Sequence, residues 1–501
     1  MPTRRPLLPL LVSVCLAVPA IAAAHKHTHA HPVSDAVVTV ETLAATSLAE
    51  DGTLRASWVQ YAPHGELEIR AVVDGSVCPA VYFDLREGSM QRRAAADAQF
   101  KVLCTALIPA GTQQAALAFP IFHTRPPEIG ASPQAWQAWG LSEYGVAMPG
   151  PEAGHEAWLD WAAAVQDKRK FHVVPVPLPV SDPRRILVLG DTGCRIKGKE
   201  LQDCSDPAKW PFPQIAAEAA RLRPDLVIHV GDYLYRENAC PPAFAGCTGT
   251  PWGDNWPTWD ADFFTPAKPL LAAAPWVIVR GNHEDCRRSG SGWLRLLGPL
   301  PYDPGAPCIP HLTPYSVPLA GLNLVVMDDA DAPEMDVVPD LVPVYRDEFA
   351  TLANQPSPTW LLMHRPIWGA ISGPLGVPVG GNKTLAAAVS DGIPSPVTLL
   401  VSGHIHTFEA INYRSSDHVP PQLIAGFGGD LLDETPENLK GAIFQGDSHV
   451  GVTDGLSIGG FGFLLMTRTD QGWTIDVHDV HGRIERQCSF AAGRLDCPGK
   501  N

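Results

Sequence analysis

Gly190-Asp191-Thr192-Gly193, Gly231-Asp232-Tyr233-Leu234-Tyr235, Gly281-Asn282-His283-Glu284, Met363-His364 and Gly403-His404-Ile405-His406 follow one another along the middle of this chain, with Gly426-Phe427-Gly428-Gly429 after them. Each of the first five closes an apolar run: Ile186 to Leu189, Leu226 to Val230, Trp276 to Val279, Trp360 to Leu362 and Val397 to Val401. Short apolar runs bounded by Gly and Pro read as buried strands, which puts the polar residues at the strand ends. Ligand sites of layered α/β proteins lie at such carboxyl edges. Two Asp, one Asn, three His and one Tyr gathered at one edge have the donor types and the number for two metal ions.

Helical patterns fall between these strands, at Pro213 to Arg223 and Phe263 to Ala273, so residues 182–482 read as a layered α/β core. Arg236 to Trp259 and Asp285 to Tyr315 lack periodicity and start right after a motif, which makes them rims of the site. Phe461 to Arg468 and Trp473 to Val480 read as a β-hairpin, and residues 483–501 as a tail closed by Cys488 and Cys497. Upstream, residues 33–178 read as a smaller, mostly-β accessory domain. Its strand candidates are Val37 to Val40, Leu54 to Val59, Glu66 to Val73, Ala80 to Leu85 and Phe100 to Leu107. Ala135 to Val165 has room for a helix, and the proline-rich Val173 to Pro183 reads as a linker. The expected class is α/β: a layered ββ sandwich flanked by helices, preceded by the smaller mostly-β domain.

The 501 residues suffice for two or more cores. Residues 1–24 read as a signal peptide: Arg4 and Arg5, an apolar Leu7 to Val18, then Ala22-Ala23-Ala24. The apolar stretch is short of a membrane span, so no stable membrane insertion is expected and the mature chain is placed in the periplasm or outside the cell. Without Arg4 and Arg5, 35 basic side chains face 53 acidic ones, a formal charge of −18, which argues against nucleic acid as a partner. Ten cysteines remain, an even number that favours disulfides in an exported chain. Taken as neighbours they pair Cys78–Cys104, Cys194–Cys204, Cys240–Cys247, Cys286–Cys308 and Cys488–Cys497, although sequence alone does not fix connectivity. Residues 25–32 carry His25, His27, His29 and His31, either a solvated arm or a metal-capturing one.

The five motifs, GDxG, GDxxY, GNH(D/E), a strand ending in His, and GHxH, resemble those of the calcineurin-like metallophosphoesterases, and most of all the purple acid phosphatases. The likeness covers the stretch from Gly190 to Glu409. Asp232 is the candidate bridge, because a carboxylate offers two oxygens to two cations. Asp191, Tyr235 and His406 complete one site, and Asn282, His364 and His404 the other. Many members of that family carry His where Gly193 stands, and Tyr235 is placed to supply the missing donor. A phenolate favours Fe(III), so the resemblance implies Fe(III) at the first site and Zn(II), Mn(II) or Fe(II) at the second. Tyr233 reads as packing.

His283 is the expected general acid for the leaving alkoxide, with Glu284 orienting it or tuning its pKa. Arg287, Arg288 and Arg365 are either phosphate clamps or ordinary ion-pair partners. His229 reads as a core histidine, and His311 is unplaced. Asp328-Asp329 read as a solvated turn or as carboxylates behind the ligands. Trp252, Trp256 and Trp259 read as packing, or as a stacking platform if exposed. The implied function is metal-dependent hydrolysis of small phosphate monoesters by a metal-bound hydroxide. A phosphodiesterase on cyclic nucleotides or lipid headgroups would use the same donors, and a non-catalytic metal-binding protein is the reading from another class. Substrate identity and oligomeric state are not encoded in these patterns.

Overall fold

The computed structural model describes residues 54–498, apart from 76–77, 85, 122–126, 128–130, 151–152, 154, 166–169, 437, 445 and 447–448. The signal segment, the His-rich arm and the strand expected at Val37 to Val40 lie outside the described residues.

Two sheets face each other. The first has eleven strands; at its centre Arg185–Leu189, Leu226–His229 and Trp276–Ile278 run parallel. Helices Phe212–Arg221 and Thr265–Leu271 make the crossovers. The second has seven strands, with Leu322–Val326, Thr359–Leu362, Val397–Ser402 and Gln422–Ala425 parallel. Helices Leu341–Thr351 and Lys383–Ala388 lie between its strands.

Strand alternation sorts the side chains into layers. Ile186 and Val188 enter the core between the sheets with Leu324, Val326, Leu399 and Val401. Leu187 and Leu189 point the other way, onto Phe212, Ile215 and Leu270 of the flanking helices. On the second sheet Val325 and Met327 meet Tyr345, Phe349 and Leu385. Helix, sheet, sheet and helix are thus stacked around three apolar layers, with a mostly-β region at the N-terminal side.

Two expectations need redrawing. Leu54–Tyr61 pairs in parallel with Trp276–Ile278 and brings Leu67–Val73, Val102–Leu107 and Gln91–Ala94 into the first sheet. Four of the strands within residues 54–107 therefore extend the core sheet, while Ala80–Phe83 and Arg86–Ser89 join Ala115–Ile121 and Lys170–Pro175 in a separate four-stranded sheet. The contact is non-local and has one registered pair, Gln60 with Trp276, so no local pattern announces it. At the other end, residues 484–496 are two further strands on the opposite side of that sheet, Ile484–Ala491 and Arg494–Asp496. Their buried Cys488, Phe490 and Leu495 alternate with less buried residues such as Gln487, Ser489 and Asp496.

The stretch from Ala135 to Val165 contains two helices, Pro133–Tyr144 and His155–Val165. All five disulfides join the expected neighbours, a pattern of oxidising compartments. Among the described residues no helix is long and apolar enough to cross a membrane.

Candidate metal centre

Each central parallel strand ends at a motif, and the two sheets present those ends on one edge. Asp191 and Asp232 follow the strands ending at Leu189 and His229, and Asn282 follows the one ending at Ile278. His364 follows Leu362, and His404 follows Ser402. The turns are tight: Asp191, Asp232 and His404 have φ of 57°, 59° and 71°. Left-handed backbone at non-glycine residues costs on the order of 1–3 kcal/mol each and concentrates at functional sites.

Close packing beneath the carboxylates requires glycine. A β-carbon at Gly281 would stand 2.1 Å from Asp232 Oδ1. One at Gly426 would stand 2.3 Å from the Ile405 carbonyl and 2.9 Å from Asp191 Oδ2. The glycine run after the strand Gln422–Ala425 therefore lets backbone pass directly under the donors.

All seven expected donors converge, in two groups that share Asp232. In the first, Tyr235 Oη lies 2.8 Å from Asp232 Oδ2, 3.0 Å from Asp191 Oδ1 and 3.1 Å from His406 Nε2. In the second, His364 Nε2 lies 3.1 Å from Asp232 Oδ2 and 3.0 Å from Asn282 Oδ1. Donor atoms of Asp232, His364 and His404 all fall within 4.8 Å of one another.

The imidazoles are aimed. His364 Nδ1 donates to the Val230 carbonyl at 2.8 Å, and His406 Nδ1 to the Leu431 carbonyl at 2.5 Å. A carbonyl only accepts, so each ring carries a proton on that side and turns Nε2 to the centre, as metal-ligating histidines do.

These residues fit metal ions on two counts. Tyr235 Oη has one proton for two carboxylate oxygens, Asp191 Oδ1 and Asp232 Oδ2, a crowd of lone pairs that a cation would satisfy. The buried carboxylates also demand positive charge. Burial opposes protonation of His364, yet Asp232 pushes it up to about 10. Burial opposes it at His406 too, and Asp430 with Asp191 pushes that ring up to about 9. Protonated imidazoles supply the charge that cations would otherwise bring. Burial and the surrounding carboxylates push the Tyr235 phenol well up, so its ionisation calls for a strong local cation.

His283 stands beside the centre, its Nε2 3.9 Å from Asp232 Oδ2 and its ring 3.9 Å from that of Tyr235. Its other nitrogen is 2.6 Å from Glu237 Oε1, not from Glu284. Glu284 accepts the backbone N–H groups of Gly281, Asp232, Tyr233 and Leu234. The expectation that Glu284 orients His283 is therefore corrected. The carboxylate faces the turn that carries Asp232, because four converging N–H donors outcompete one imidazole.

The other singled-out positions surround this cluster or lie apart from it. Asp328 and Asp329 are buried rather than solvated. Asp329 accepts from the backbone of His364 and Arg365, and Asp328 pairs with Arg280 at 3.1 Å. Arg365 contacts Glu334, whose Oε1 is 2.7 Å from His404 Nε2. Arg287 pairs with Asp285 at the surface, and Arg288 stands 3.8 Å from Glu237. Asp430 holds Arg195, which lies over the Tyr235 ring at 5.0 Å. His311 joins Glu348 and Asp331. His229 is a core histidine bonded to Thr192 and stacked on Tyr233. Trp256 and Trp259 are buried, while Trp252 is exposed.

Asp329 takes the second of its two readings, a carboxylate behind a donor, whereas Glu237, Glu334, Arg195 and Asp430 stand at the cluster without having been singled out in the sequence. Only two had a usable signal: Glu237 lies two residues past Tyr235, and Asp430 follows the glycine run directly.

A purple acid phosphatase, PPD1, isolated from yellow lupin (Lupinus luteus) seeds superposes with a TM-score of 0.50 at 12% identity, over 89% of this chain and 77% of that one. A structure of PhoD aligns with a TM-score of 0.48 at 10% identity, over 90% and 94% of the two chains. At 12% identity the likeness to the lupin phosphatase concerns the fold. No curated protein matches the sequence. Residues 184–408, which hold every one of the seven converging donors, match the family model of the calcineurin-like phosphoesterases.

Proposed function

We propose that this protein is an exported phosphoesterase that hydrolyses small phosphate monoesters at a binuclear metal centre. The observation that carries the reading is the position of Asp232. One of its oxygens is 2.8 Å from Tyr235 Oη on one side and 3.1 Å from His364 Nε2 on the other. A carboxylate between two donor groups suits a pair of cations.

Asp191, Asp232, Tyr235 and His406 would hold one ion, and Asp232, Asn282, His364 and His404 the second. The donor chemistry favours Fe(III) beside the phenolate and Zn(II), Mn(II) or Fe(II) beside the amide and imidazoles. When bound, the metals supply an activated water and charge stabilisation on the phosphoryl oxygens. The rest falls to the chain. Glu237 fixes the proton of His283 on Nδ1 and leaves Nε2 facing the centre, from which a protonated ring can give a proton to the departing alkoxide. Asp329 holds the backbone of His364 and Arg365. Arg195, pinned by Asp430, keeps the Tyr235 ring in place.

The test is hydrolysis of p-nitrophenyl phosphate against bis(p-nitrophenyl) phosphate, with metal content recorded. Monoester turnover that needs two metal equivalents is expected. Strong preference for the diester would move the assignment to a phosphodiesterase.

A further inference from the structure

One loop serves both histidines of the second donor group. It leaves the strand Leu322–Val326 and runs from Asp328 to Val338, ahead of the helix Leu341–Thr351. Near its start, Asp329 accepts the backbone amides of His364 and Arg365 at 3.0 and 2.9 Å. Further along, Glu334 reaches His404, with Oε1 2.7 Å from Nε2. The first donor group draws on other segments: His406 Nδ1 bonds to the Leu431 carbonyl, and Arg195 lies over the Tyr235 ring.

The loop is clamped, so the reach of Glu334 is set by the fold. The Lys383 amide bonds to the Glu334 carbonyl at 3.0 Å, and the Asn382 side chain to the Ala332 carbonyl at 2.9 Å. Lys383 Nζ and Thr384 Oγ1 bond to the Met335 and Asp336 carbonyls. The start of the helix Lys383–Ala388 thus grips the backbone on both sides of Glu334. A side chain carried on fixed backbone gives up less freedom when it makes a contact.

Lone pairs decide the chemistry of that contact. A carboxylate oxygen only accepts. Glu334 Oε1 is buried, and among the described residues no backbone amide or hydroxyl bonds to it. Its polar neighbours are His404 Nε2 and the Arg365 guanidinium. Two lone pairs 2.7 Å apart repel, so the oxygen favours a proton on Nε2. Arg365 pulls the other way, but its Nη1 is farther off, 3.4 Å from Nε2, and its charge is engaged by the same carboxylate. A metal-binding imidazole is neutral and has one ring proton. With that proton on Nε2, the lone pair is left on Nδ1. His364 and His406 are set the opposite way, their Nδ1 donating to the Val230 and Leu431 carbonyls.

We propose that Glu334 is the positioning residue of His404: it holds the ring proton on Nε2, so that His404 serves the second ion through Nδ1 while His364 and His406 serve through Nε2. This rests on the binuclear reading and deepens it. Asp329 and Glu334 make the loop from Asp328 to Val338 the support of the second ion alone, so the two ions can be weakened separately.

The test titrates metal-free wild type, Glu334→Ala and Glu334→Gln with Zn(II) against a chelating indicator. Wild type should take up two equivalents. Glu334→Ala should bind one as tightly as wild type and the other about 10–100-fold more weakly. Glu334→Gln, whose amide oxygen can still accept from Nε2–H, should recover part of that loss. In Zn-loaded wild type with nitrogen-labelled histidine, NMR should find one metal-bound ring protonated on Nε2 and two on Nδ1. Equal affinities in wild type and Glu334→Ala overturn the proposal, as do three rings all protonated on Nδ1. Matched weakening of both equivalents would mark a general fold defect and also overturns it. Outright loss of one equivalent in both variants would make Glu334 itself a donor, with the same result. A wild type that binds no second equivalent removes the binuclear reading and the proposal with it.

Discussion

Gly193 lies against the Tyr235 ring: a β-carbon there would stand 2.9 Å from Tyr235 Cδ2 and 2.7 Å from Asp262 Oδ2. No side chain at 193 fits beside the phenol, so Tyr235 takes the place that a donor two residues after Asp191 would need. Tyr235→Phe should abolish any broad visible absorption band and lower the iron content of the purified protein. Gly193→Ala should cost about 1–3 kcal/mol by overpacking and weaken the same band by displacing the ring. A colourless wild type loaded with Zn or Mn, unchanged by Tyr235→Phe, would remove the phenol from the donor set.

Glu237 is set to act through His283 rather than on substrate. Its carboxylate favours the protonated imidazole, against a burial that pulls His283 down to about 4 in the absence of metal. Removing the carboxylate lowers the His283 pKa further. In Glu237→Gln the alkaline limb of the kcat profile, where the general acid is lost, should therefore move to lower pH. His283→Ala should cost about 10²–10⁴-fold in kcat, Glu237→Gln a part of that, and both should keep their metals. A pH profile identical to wild type in Glu237→Gln would reduce the contact to packing.

The convergence of the seven residues was legible in sequence because each sits in a short motif closing an apolar run, and both cues are local. The disulfides were legible because each joins neighbours in the chain. Glu237 and Glu334 were not, since their partners come from other loops 46 and 70 residues away: Glu237 meets His283, and Glu334 meets His404. The same holds for Leu54–Tyr61, which joins a strand more than two hundred residues on. Asp328 and Asp329 show the limit of composition most plainly. An acidic pair after a strand reads as solvated until the backbone amides and the guanidinium that hold it are seen.

Glu284 makes a separable claim. Burial and the Asp232 charge push its carboxyl up to about 8, and its two oxygens serve four amides of the turns that carry Asp232 and Asn282. Glu284→Gln places an amide N–H₂ against backbone donors and should cost about 1–3 kcal/mol for the groups left unsatisfied. Thermal unfolding should shift down and metal content fall, while the rate per metal-loaded molecule stays near wild type. A fully loaded variant with a large loss of kcat would instead restore Glu284 to the proton-transfer machinery.

His311 ties the long insert after Glu284 to the helix Leu341–Thr351, with Nε2 2.9 Å from Glu348 Oε1 and Nδ1 3.6 Å from Asp331 Oδ1. Burial opposes its charge, but these two carboxylates push the imidazole up from 6.5 to about 10. The folded state therefore holds this proton more tightly than the unfolded chain, whose histidine titrates near 6.5. Its contribution is complete below pH 6.5, fades as pH rises, and is gone once the folded pKa near 10 is passed. Denaturant unfolding at pH 6 and pH 9 should show a loss of stability in the wild type that His311→Asn lacks, with the two proteins closest at the higher pH. The ion pair lies away from the donors, so metal content at pH 6 should be the same in both. Parallel pH dependence in wild type and variant would show that the imidazole is not charged in the fold.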